Sequence, residues 1–244
     1  MTVRSLGATV GLLALLSAAA EAETILDCTF DSKEVDQSIG EGGAAAGEPV
    51  SLGGVPATVR SQPFPTPCLE MTEDWGFGAR AVRFEFLNGS EVQDSGVTFD
   101  FSLYFQDFNG FSVYVRERSF SAVSFLNLTF TSDGSILFQD LNDPENRVIG
   151  TYTTGEILPF VLTFTITWAG GGNFRAKVSV SIGGEAVIVD ENLGIIPVGV
   201  GAVLFGLDHD EDSEGTFFLD GLRATTFGTP VLPTTWGSVK AGPR

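Results

Sequence analysis

The densest set of hard oxygen ligands in the sequence is the run Asp208-His209-Asp210-Glu211-Asp212-Ser213-Glu214-Gly215. Acidic side chains at alternate positions of a tight loop converge on one point, and calcium takes about six to eight such oxygens. Asp208, Asp210, Asp212 and Glu214 are therefore the candidate metal ligands, and Ca2+ the candidate ion. The run departs from the helix-loop-helix calcium loop: Ser213 stands where glycine is needed, Leu219 where a bidentate Glu would close the shell, and strands flank it. A solvated acidic turn is the alternative. His209 is the chain's single histidine, and the surrounding carboxylates favour its charged form, which disqualifies it as a general base. A second calcium position would join Asp27 or Asp31 to Asp220, with ordinary strand-edge carboxylates as the alternative.

Residues 96–118 carry a different chemistry. Val97, Phe99, Phe101, Leu103 and Phe105 alternate with Thr98, Asp100, Ser102 and Tyr104; Phe111, Val113 and Val115 alternate with Ser112, Tyr114, Arg116 and then Arg118. With 106–110 as a hairpin turn, Phe105 opposes Phe111 and Asp100 opposes Arg116 across neighbouring strands. Asp100, Tyr104, Tyr114 and Arg116 then share one polar face suited to the ring and hydroxyls of a sugar; a plain solvated sheet face is the competing reading. Trp75, set between Glu73-Asp74 and Gly76, completes this candidate ligand-binding set as a stacking platform, or else closes one end of the fold as a lid. Trp168, on the apolar side of its segment, is assigned to the core. Asn88-Gly89-Ser90 and Asn127-Leu128-Thr129 match the glycosylation acceptor.

Other chemistries are missing. No Gly-rich phosphate loop, no Gly-x-Ser-x-Gly elbow, no Cys-x-x-Cys and no His-rich metal motif is present. Residues 1–22 have a positive start at Arg4, a short apolar run and an Ala20-Glu21-Ala22 cleavage pattern, so they read as a signal peptide. The expected location is secreted or periplasmic, with no membrane insertion, because no apolar stretch is long enough to span a bilayer. Export permits a disulfide between Cys28 and Cys68, which would close a loop of about 40 residues and stabilise the fold by about 4 kcal/mol.

Asp and Glu total 31 against 13 Lys and Arg, a net charge of −18. Such a surface repels phosphate backbones and anionic lipid, which disfavours nucleic acid and membrane surfaces. Anionic polysaccharides are disfavoured as well unless a cation bridges; neutral glycans, extracellular surface components and calcium remain open.

The elements that must position these groups are strands. Hydrophobic residues make up 43%, Phe alone supplies 21, and 30 glycines punctuate short runs. Period-two alternation predicts strands at 24–30, 80–87, 96–105, 110–118, 122–131, 134–139, 147–153, 159–168, 174–182, 186–189, 201–207 and 215–225, with Gly183-Gly184 as a hairpin turn. About a dozen strands, each with one apolar face, require two antiparallel sheets packed face to face. We read a single domain over 23–226 and an extended tail over 227–244, which lacks alternation.

The stretch 158–189 resembles the concanavalin A-like lectin/glucanase superfamily, including laminin-G-like domains: a strand ending in Trp168, a glycine turn, FRAKVSVSI, then IGGEAV. TFFLDGLRAT at 216–225, with Asp220, resembles the closing strand of such jelly rolls, and LDCTFD at 26–31 fits their first strand. The resemblance implies an all-β jelly-roll sandwich on which lectins, adhesion modules, hydrolases and lyases all occur. The Glu-x-Asp-x-x-Glu strand of its glucanases is absent. Arg116-Glu117-Arg118 is similar to the Arg-rich strand of alginate-type lyases, but their Gln-x-His strand is missing. A noncatalytic carbohydrate-binding or adhesion module is the leading expectation. A polysaccharide-active hydrolase or lyase and a structural extracellular protein are the alternatives. The calcium reading expects thermal unfolding of 23–226 to shift upward with calcium and back with chelator, and the shift to vanish in Asp210→Ala; no shift would leave the loop a solvated turn.

Overall fold

The computed structural model describes residues 22–40, 47–73, 80–87, 89–107, 110–118, 124–140, 145–196, 198–207 and 215–228. The leader, Trp75, the acidic run 208–214 and the tail from 229 lie outside the described residues. Fifteen strands are described: β1 (Thr24–Cys28), β2 (Val50–Leu52), β3 (Ala57–Arg60), β4 (Cys68–Glu73), β5 (Arg80–Glu85), β6 (Gly96–Phe105), β7 (Phe111–Arg116) and β8 (Ser124–Phe130), then β9 (Ser135–Asp140), β10 (Arg147–Thr151), β11 (Ile157–Gly170), β12 (Asn173–Ile182), β13 (Glu185–Ile196), β14 (Ala202–Leu207) and β15 (Gly215–Phe227). They form two sheets, and every pairing is antiparallel. The eight-stranded sheet runs β13-β12-β11-β6-β15-β4-β3, with β1 also on β15; the seven-stranded sheet runs β10-β9-β8-β7-β14-β5-β2. This is a two-sheet β-sandwich, as the alternation requires. Among the described residues no helix is long and apolar enough to cross a membrane.

Alternation decides what enters the core. On β11, Phe160, Leu162, Phe164 and Ile166 are buried, while Val161, Thr163 and Thr165 face outward. The turn after β12 uses Gly183 and Gly184 at φ 61° and 85°, left-handed values that glycine adopts without a Cβ clash and that match the twist of a two-residue hairpin. Among the described residues, the twelve largest fully buried side chains are all phenylalanine. Phe111 of β7 meets Phe217 of β15 at a centroid separation of 3.7 Å, and Phe101 of β6 meets Phe205 of β14 edge-on at 5.3 Å, so rings from the two sheets interlock.

Three expectations are corrected. Residues 106–110 are not a hairpin turn: β6 lies in one sheet and β7 in the other, so Phe105 and Phe111 face each other across the core at 5.9 Å. Trp168 is 55% exposed; its neighbour β6 begins at Gly96, opposite Thr165, so the indole stands past the end of that strand. Its backbone N–H donates to Asp94 Oδ1 at 2.9 Å, and its ring rests edge-on against Phe174.

Cys28 and Cys68 are both free and buried. Cys28 belongs to the main core between the sheets, whereas Cys68 packs with Phe64 and Phe218 on the outward side of the same sheet. A sheet separates the two sulfurs, and neither can reach the other without inverting a strand. Burial pushes the Cys28 thiol up to about 12 and the Cys68 thiol up to about 11, which keeps both protonated and unreactive at neutral pH. We expect two thiols to titrate with a disulfide-exchange reagent in denaturant and none in the native protein; zero thiols in denaturant would restore the bridge.

Candidate functional site

Phenylalanine and aliphatic side chains fill most of the inner faces, although Asp140, in phase with Ile136 and Phe138 on β9, and Glu117 are also buried; the other polar groups stand mainly on the two outward faces. Crossing between sheets at 106–110 splits the expected sugar-binding set. Asp100 and Tyr104 point outward from the eight-stranded sheet; Tyr114 and Arg116 point outward from the seven-stranded one. Asp100 is exposed and in register with Val161 and Arg223, not with Arg116. Trp75, Asp208, Asp210, Asp212 and Glu214 lie outside the described residues. Of the expected Asp27 or Asp31 pairing with Asp220, the structure brings Asp31 near Asp220: burial, and in lesser part the Asp31 charge, hold the Asp220 carboxyl above its ordinary value. Asp27 sits 3.5 Å from Arg223, and Asp220 accepts from the Thr66 hydroxyl at 2.8 Å. No group of three or more His, Cys, Asp or Glu side chains converges among the described residues.

The outward face of the seven-stranded sheet is the richer in chemistry. Its strand register builds one cross-strand row of Arg83, Leu204, Tyr114, Asn127 and Gln139 over β5, β14, β7, β8 and β9. The next row holds Glu85, Ala202 and Arg116. Directly opposed side chains on such rows are about 5 Å apart, which puts Asn127 beside Tyr114. Ala81, Ala202 and Leu204 form a small apolar floor, with Tyr114 packed against it. Flanking Ser112, which is fully buried, is joined to Thr129 by a 3.2 Å hydroxyl contact.

Electrostatics distinguish this face. Glu85 is 4% exposed and Arg83 7%. Their ion pair closes at 3.0 Å, and Arg118 Nε approaches the other Glu85 oxygen at 3.5 Å. Burial pulls the Arg83 guanidinium below its ordinary value, Glu85 opposes that shift, and the charge of Arg118 adds to it. At the rim, Glu91 accepts from the backbone N–H groups of Arg118 and Gly199, which fixes that end of the face. Three shielded side-chain atoms on this face have no hydrogen-bond partner among the described residues: Arg116 Nε, Asn127 Oδ1 and the Nε of Arg83, whose guanidinium is otherwise paired with Glu85. Leaving a shielded polar atom unmatched costs about 1–3 kcal/mol.

The net charge of −18 averages over this arrangement. Arg83 and Arg118 hold the Glu85 carboxylate, and Arg116 stands in the same cross-strand row as Glu85, so this face gathers three arginines on a chain that is acidic overall. Tyr114 and Arg116 are the two expected site residues brought together here. Arg83, Glu85, Arg118 and Asn127 complete the face; the alternation of Arg83 and Glu85 with Val82 and Phe84 was the available signal for the first two.

No family model matches this chain, and no curated protein sequence matches it. Solved structures of like fold exist. A carbohydrate esterase of the Shiga toxin-encoding bacteriophage phi24B has 12% identity and a TM-score of 0.52 over 86% of this chain and 100% of its own. An alginate lyase, Aly36B, solved with an alginate trisaccharide, has 12% identity and a TM-score of 0.52 over 82% of this chain and 97% of its own. A sialidase has 10% identity and a TM-score of 0.50, with 72% of this chain covering 16% of the sialidase chain. At these identities the likeness is one of fold, and it agrees with the sandwich described above.

Removing one partner from the buried pair leaves the other charge stranded, so Glu85→Ala should lower stability by about 3–5 kcal/mol in denaturant unfolding. Arg118→Ala, at the exposed end of the same cluster, should cost no more than about 1 kcal/mol. Equal losses would contradict the assignment of Glu85 and Arg83 as the buried anchor.

Proposed function

We propose that the outward face of the seven-stranded sheet takes an acidic polysaccharide and cleaves it by β-elimination, on a sandwich of the concanavalin A-like type. The observation that carries this reading is the unmatched pair beside Tyr114: the shielded Arg116 Nε and Asn127 Oδ1. A guanidinium and an amide on one sheet face suit a sugar carboxylate and a neighbouring hydroxyl. The alginate trisaccharide held by one of the structurally similar lyases is a ligand of this class. Export, as read from residues 1–22, would bring the protein to such polymers.

The chemistry follows from charge. A uronate carboxylate neutralised by Arg116 and Asn127 makes the proton on the adjacent ring carbon removable. Tyr114, directly opposite Asn127 in register, would take that proton as the phenolate and, as the phenol so formed, hand it to the departing glycosidic oxygen. The ring C–H and the C–O bond to the leaving sugar break, a carbon–carbon double bond forms, and no water is consumed. Hydrolysis by two carboxylates fits less well. The Glu85 carboxylate on this face is already held by Arg83 and Arg118, and glycosidases need one carboxyl free to donate a proton. The expected noncatalytic module is the second reading, favoured by the missing Gln-x-His strand.

Incubation with a panel of polyuronates should release unsaturated ends, read by their ultraviolet absorbance. Arg116→Ala and Asn127→Ala should each lower kcat/KM by about 100-fold or more. Tyr114→Phe should retain binding and lose turnover. Binding without product in the unsubstituted protein would establish the noncatalytic module instead, and no binding to any polyuronate would contradict the proposal.

A further inference from the structure

The opposite face holds a second cleft, of about 440 Å³, within the range of about 300–1,000 Å³ usual for small-ligand sites. Its floor is one cross-strand row over β4, β15 and β6: Glu70, Phe218 and Tyr104. The Tyr104 and Phe218 rings meet edge-on at 5.7 Å, and Phe64 backs them from the loop between β3 and β4. Arg60 at the end of β3 is locked in place. Its Nε and Nη2 donate to Glu70 Oε1 at 2.9 and 2.8 Å, and its Nη1 donates to Asp36. Exposed Gln62 and Gln106 bring amides to the rim.

We infer that this cleft is a separate binding site for a neutral saccharide. Half-buried Tyr104, braced by the buried Phe218 ring, offers an apolar surface to the ring of a sugar, while the amides and the immobilised Arg60–Asp36–Glu70 set offer paired donors and acceptors to its hydroxyls. Charge excludes the other ligand classes. Asp36 and Glu70 outnumber Arg60 by one, and the guanidinium is already committed to them, so phosphate and carboxylate groups find no cation to spend on them. The polar rim leaves too little apolar surface for a lipid. The two faces of the sandwich therefore differ in kind: an arginine-rich one for acidic sugar and a neutral-to-acidic cleft for uncharged sugar. The inference does not depend on catalysis at the first face.

Titration of the full chain with neutral oligosaccharides of glucose, xylose, mannose and galactose, followed by calorimetry and ligand-observed NMR, tests it. We expect at least one to bind, with affinity falling about tenfold in Tyr104→Ala and several-fold in Gln106→Ala, and unchanged in Arg116→Ala. Gln106 is exposed, so its substitution leaves folding intact even if Tyr104→Ala does not fold. No binding of any neutral oligosaccharide would overturn the inference. Binding insensitive to Gln106→Ala, or lost in Arg116→Ala, would overturn it equally. Failure of the acidic-sugar reading alone would show as loss of polyuronate binding with this cleft still active.

Discussion

Phe111 touches rings from both sheets: Phe105 and Phe217 on one side, Phe130 and Phe205 on the other. The rest of the molecule depends on that interlock. Aromatic side chains of this size fill the space between the sheets, and truncating one to alanine removes about 3–5 kcal/mol, a large part of a domain's stability. Once the interior is committed to phenylalanine, strand periodicity leaves every second residue outside. Function must therefore be built on the outward faces, from single rows of side chains set by register.

The crossing at 106–110 turns this constraint into a division of labour. Because β6 and β7 occupy different sheets, Tyr104 and Tyr114 look away from each other through the full thickness of the sandwich. Tyr114 joins Arg116 and Asn127 over a buried Arg83–Glu85 pair; Tyr104 joins Phe218 beside a guanidinium neutralised by Asp36 and Glu70. An acidic chain can carry an arginine-rich face because three of its ten arginines, Arg83, Arg116 and Arg118, stand together there. Net charge describes long-range repulsion, not the first ångströms of contact.

Strands β6, β11 and β12 were legible because ten or more alternating residues leave no other period. β2, β3 and β4 were not: three to six residues among prolines and glycines give too short a window, and they exist because neighbouring strands pair with them. The polar identity of residues 98–104 and 112–116 could be read as well, but not which sheet each would join. A two-strand alternation looks the same whether its strands pair side by side or face each other across a core. That ambiguity produced the expected Asp100–Arg116 pair; the expected Cys28–Cys68 bridge rests instead on export and on there being two cysteines, neither of which says which side of a sheet each takes. Asn127 went unnoticed as a site residue because its neighbours matched a glycosylation acceptor; its place beside Tyr114 comes from long-range register alone.

Amide chemical-shift mapping with a short polyuronate tests the central claim most directly, since it reads location without presuming turnover. The account predicts perturbations centred on Tyr114, Arg116 and Asn127, extending to Leu204 and Arg83, with the eight-stranded sheet unaffected. Perturbations centred on Tyr104, Phe218 and Glu70 instead, or none at all, would contradict it.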